Sequence, residues 1–66
     1  MEIKFPEIKV HLSGEDGNAF AIIGRVSQEM RSGGVSQKDI IEFRNEAMAG
    51  DYDHLLQTVM KTVNAI

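Results

Sequence analysis

The sequence predicts a small α+β domain that is mostly α: one N-terminal strand followed by three helices. Three observations carry this: alternation confined to the N-terminal part, apolar residues recurring every three or four positions afterwards, and a cap signal at each expected helix start. The chain is organised around residues 14–26, Gly-Glu-Asp-Gly-Asn-Ala-Phe-Ala-Ile-Ile-Gly-Arg-Val, where the alternating run stops, turns and becomes a helix.

The strand comes first. Ile8, Val10 and Leu12 point one way and Glu7, Lys9 and His11 the other, as expected of a strand with one buried face. Pro6 donates no ladder hydrogen bond and marks an edge position or a break after Ile3, Lys4 and Phe5. Nothing later in the chain alternates with period two, so no second strand is expected. The strand's partner is then expected to be the same strand of another copy, giving a strand-paired homo-oligomer.

Residues 13–17, with two glycines and two acids, read as a turn. Asn18 is the expected cap of the first helix, with Gly17 competing. Ala19, Ile22, Ile23, Val26 and Met30 follow at helical spacing with Phe20 on the flank, and glycine at Gly33-Gly34 stops the helix. Gly24 inside it costs about 1 kcal/mol relative to alanine, explained by close approach of a backbone or ligand, or by a tolerated defect.

Ser36 with Asp39 resembles a capping box, and Val35 with Ile40 has the spacing of a hydrophobic staple. Ile40, Ile41, Phe43, Ala47 and Met48 form the apolar side of the second helix, closed by Gly50. Asp51 caps the third, whose stripe is Tyr52, Leu55, Leu56, Val59, Met60 and Val63. Met30, Met48 and Met60 all read as core gap-fillers. Residues 1–66 make a single small domain.

A chain of 66 residues buries only about 60% of the surface its unfolded form exposes. It has no cysteine and only two histidines, so association is the remaining stabilising device. No cofactor or metal is implied. Absence of cysteine suits a reducing cytoplasm, no apolar run is long enough for a membrane span, and the N-terminus lacks a signal peptide's apolar centre, so a cytoplasmic location is expected. The net charge of −3, with the charges dispersed, argues against non-specific nucleic-acid binding.

Residues 14–18 occupy the place of a phosphate loop, but the lysine of that motif is missing and Glu15 and Asp16 disfavour an anion. An ordinary turn and cap is the leading reading there. In Gly50-Asp51-Tyr52-Asp53-His54-Leu55-Leu56-Gln57 the acids suit a helix start, and His54, one turn after Asp51, is placed to pair with it. No nucleophile accompanies that pair, so no catalytic residue is assigned. Arg25, Arg44, Arg31, Lys38 and Lys61 gather only if an assembly brings copies together; otherwise they form solvated helix faces. A helix-turn-helix reading finds only Gln57, Lys61 and Asn64 on the third helix, which opens with acids.

Residues 14–26 and the segment Gly-Asp-Tyr-Asp-His-Leu-Leu-Gln-Thr-Val-Met at 50–60 resemble a family of very small, uncharacterised proteins of bacteriophages, prophages and their hosts. The resemblance covers nearly the whole chain and implies a phage-associated protein without an assigned activity. The ending Lys61-Thr62-Val63-Asn64-Ala65-Ile66 departs from relatives with an aromatic and acidic tail, so a function placed there would not transfer.

The expected function is non-enzymatic: an anti-defence protein that sequesters a small anionic, nucleotide-like ligand or blocks a host protein. The expected contacts are Asn18, Arg25, Arg44, Tyr52, His54 and Gln57, the arginines holding charge, Tyr52 stacking, and Asn18 with Gln57 reading polar edges. The alternative is a protein-interaction or DNA-associated regulator of phage or host.

Overall fold

The computed structural model describes residues 2–12 and 18–66. The turn expected at 13–17 and the competing cap Gly17 lie outside the described residues. The order is β1 (Phe5–Val10), α1 (Ala19–Ser32), α2 (Gln37–Ala47), α3 (Tyr52–Thr62) and β2 (Val63–Ala65). The α+β, mostly α class follows directly from that order.

Each helix starts where its cap predicts. Asn18 Oδ1 accepts from the Phe20 amide at 2.8 Å, Ser36 Oγ from Asp39 at 3.3 Å, and Asp51 Oδ1 from His54 at 2.9 Å. These bonds satisfy amides that have no partner inside the helix. At the end of α1 the Val35 amide reaches the Met30 carbonyl and the Gly34 amide reaches Arg31, with Gly34 at φ +87. That is a Schellman closure, and its left-handed position requires the glycine. A Cβ at Gly24 would meet nothing within 4 Å, so no close approach among the described residues accounts for that glycine.

The expectation of no second strand is corrected. β2 pairs parallel with β1, Phe5 opposite Val63, Lys9 opposite Asn64 and Val10 opposite Ala65, with a register shift between Phe5 and Lys9. The Lys4 amide also reaches the Lys61 carbonyl, and Ile66 exchanges bonds with Val10 and Leu12. The three helices form the crossover a parallel pair requires. Val63, read as the last residue of the α3 stripe, is instead the first residue of β2, extended at φ −131 and ψ 168. A strand of three residues is too short to show alternation, and it follows a helix with no loop between them.

The core runs through every element: Ile8 and Val10 from β1, Ile22, Ile23, Val26 and Met30 from α1, Ile40, Phe43 and Ala47 from α2, Leu55 and Val59 from α3, and Val63 from β2. Each fully buried large side chain contributes about 1.5–3 kcal/mol. Ile41, Met48 and Met60, expected inside, are exposed. Thr58 and Thr62 are buried with their hydroxyls donating to the His54 and Thr58 carbonyls at 2.8 and 2.7 Å. Ser27 is also buried, and among the described residues its Oγ has no partner. Ser27→Ala is therefore expected to raise stability by about 1 kcal/mol, read as a higher urea midpoint at constant slope.

Candidate functional site

The start of α1 crosses the turn between α2 and α3. Ala19, Phe20 and Ile23 from α1 meet Ala47, Met48, Gly50, Asp51, Tyr52 and Leu55 around a surface groove of about 350 Å³. The floor is made of side chains that also serve the core: Ile23, Ala47 and Leu55. The walls are exposed apolar groups: Phe20 is 75% exposed, Met48 50% and Tyr52 44%. The Asp51 carboxylate, already accepting the His54 amide, is the acid at the groove.

Local chemistry explains why these side chains stand outside. Phe20 is the second residue of α1, off the stripe of Ile22, Ile23, Val26 and Met30. Met48 is the C-cap of α2, where the chain has left the helix and its side chain is released from the buried face. Tyr52 opens α3 immediately after its cap.

The residues expected to form one site are spread over the surface. Tyr52 lines the apolar groove, and Asn18 stands beside it as the cap preceding Ala19. Arg25 lines a different depression with Gly24, Gln28 and Glu29. Gln57 borders a third with Glu2, Ile3, Met60 and Lys61, and donates to Asp53 Oδ2 at 3.0 Å. Arg44 is exposed in the last turn of α2, where a cation favours the helix dipole.

The expected pairing of the His54 ring with Asp51 is corrected. Asp51 engages the backbone amide of His54, whereas His54 Nε2 lies 2.9 Å from Glu46 Oε2 and 3.0 Å from the Glu46 carbonyl. The imidazole therefore fastens the start of α3 to the end of α2. Gly50 makes room for it, because a Cβ there would lie 2.9 Å from His54 Cβ and Cγ. Gly50 is thus a clearance for the ring instead of the helix stop read from the sequence.

The segments 14–26 and 50–60 meet through described residues, 19, 20 and 23 from the first and 50, 51, 52 and 55 from the second. They meet through apolar side chains, not through Arg25 and Gln57. Phe20 and Met48 were missed as surface residues. The usable signals were Phe20's position off the α1 stripe and Met48's place beyond the last helical turn. Among the described residues no group of three His, Cys, Asp or Glu is placed to hold a metal, and no helix is long and apolar enough to cross a membrane. No family model matches the chain, and neither a curated protein nor a solved structure matches it.

Proposed function

We propose that the chain is a phage-derived, non-enzymatic binding protein that acts in the host cytoplasm by docking a host protein on the Phe20, Met48 and Tyr52 face. The observation that supports this reading is the exposure of those three side chains around one apolar groove. Large apolar groups gathered at a surface gain most by covering, and aromatic anchors dominate binding energy where they are fully desolvated. The expected partner segment presents apolar side chains flanked by Lys or Arg, because Asp51 lies at the groove and the chain carries a net charge of −3. Blocking a host factor is favoured over sequestering a small anion, since Arg25, Tyr52 and Gln57 line separate depressions.

The test compares proteins co-purified from host cells with the wild-type chain and with a Phe20→Ser, Tyr52→Ser double variant, by quantitative mass spectrometry. Both replaced side chains are exposed, so the variant is expected to keep the wild-type circular dichroism and melting temperature. A directly binding host protein is expected to drop about thirtyfold or more, which is the loss of one aromatic anchor. Equal recovery with both chains, or a native mass spectrum showing a retained nucleotide and no protein, overturns the reading.

A further inference from the structure

Among the described residues β1 has a neighbouring strand on one side only. The sheet there is the pair β1-β2, which leaves the far edge of β1 without a strand. The Val10 carbonyl and the Leu12 amide both point to β2, where they bond Ile66. Backbone groups of successive residues point to opposite edges of a strand, so the amides and carbonyls of Lys9 and His11 point to the open edge. The alternation from Glu7 to Val10 is regular, with Glu7 and Lys9 exposed and Ile8 and Val10 buried. Glu7 therefore shares both the open edge and the solvent face with Lys9. The irregularity in the ladder falls at the consecutive exposed pair Pro6 and Glu7, between Phe5 and Lys9.

We propose that a second copy of this chain occupies the open edge, β1 pairing antiparallel with its own copy about a two-fold axis at Ile8. The charge pattern selects the occupant and the register. With the axis at Ile8, Glu7 lies directly opposite the copy's Lys9 and Lys9 opposite the copy's Glu7, so symmetry makes the favourable pair twice. Both residues then exchange amide and carbonyl bonds with the facing copy. Moving the axis to Lys9 sets Lys9 against its own copy, and moving it to Glu7 sets Glu7 against its own. A shift of a single residue in the pairing sum faces exposed side chains against buried ones. A lysine that serves only to keep other strands away needs no acid at the place its copy would face. The product is a continuous sheet in the order β2-β1-β1-β2, which gives a small chain without cysteine an additional buried edge.

This pairing is independent of the apolar face, since no β1 residue lines the groove beside Phe20. The two readings therefore fail separately.

The test is sedimentation equilibrium of the purified chain and three variants: Glu7→Lys, Lys9→Glu and the Glu7→Lys, Lys9→Glu double exchange. Wild type is expected to dimerise. Each single reversal puts like charges opposite each other twice and is expected to weaken the dimer about tenfold or more. The double exchange restores opposite charges and is expected to return to within about threefold of wild type. Lys9→Pro, which removes an edge amide from an exposed position, is expected to abolish the dimer, with folding checked by circular dichroism. Should Lys9→Pro unfold the chain, amide hydrogen exchange of wild type serves instead, with protection of the Glu7 and Lys9 amides rising with protein concentration. A wild-type monomer throughout, single reversals that dimerise like wild type, or a double exchange no better than either single reversal overturns the proposal.

Discussion

Val63→Asp is expected to leave the domain unfolded at room temperature, whereas Met60→Asp, one turn earlier in α3, is expected to fold. The two positions belong to the same apolar stripe in the sequence. In the structure Val63 has no exposed surface and Met60 is 57% exposed. Val63 begins β2, sits opposite Phe5 across the parallel pair and is part of the core. A carboxylate there is taken out of water without a cation to meet it, which costs several kcal/mol even after relaxation. A domain of 66 residues has only about 3–10 kcal/mol of stability in total. The cost at Val63 is therefore comparable with everything that holds the fold. Far-UV circular dichroism and a urea titration of both variants decide it. Stability of Val63→Asp within about 1 kcal/mol of wild type would mean that β2 does not close the core.

That contrast shows what was legible in the sequence. The caps Asn18, Ser36 and Asp51 were readable because each bond joins a side chain to an amide two or three residues away. β1 and the helix cores were readable because their periods repeat over enough residues. β2 was not, since Val63 satisfies both a helical stripe and a strand, and only packing against β1 distinguishes them. β1 is not a lone strand: its partner β2 lies inside the chain, and among the described residues the other edge of β1 carries no strand.

The candidate site was less legible for a related reason. Residues chosen for their functional groups, such as Arg25 and Gln57, carry no information about which surface each helix turns outward. The His54 ring meets Glu46, eight residues back across a turn, while the Asp51 carboxylate accepts the His54 amide, and a contact across a turn is not encoded in helical spacing. The groove beside Phe20 exists only because α1 crosses the α2–α3 turn, a relation between segments that no local pattern encodes.

The methionines extend this difference into the second large expected effect. Met30, Met48 and Met60 share apolar helical positions in the sequence, but Met30 has no exposed surface and Met48 is half exposed. Met30 lies in the core with Ile8, Val26 and Phe43, and its carbonyl receives the Val35 amide in the closure of α1. Met30→Ala removes a fully buried side chain and leaves a cavity, for an expected loss of about 2–5 kcal/mol. Met48→Ala and Met60→Ala are expected to stay within about 0.5 kcal/mol of wild type. Mild peroxide treatment reads the same order without mutation. Met48 and Met60 are expected to become sulfoxides in the folded protein, while Met30 oxidises only as the domain unfolds. Peptide mass spectrometry in native buffer and in urea resolves the three sites. Oxidation of Met30 in native buffer at the rate of Met60, or a loss below about 1 kcal/mol in Met30→Ala, would contradict this packing. Protection of Met48 alone on adding a bound host protein would place that partner on the Phe20 face, since Met48 lines the groove.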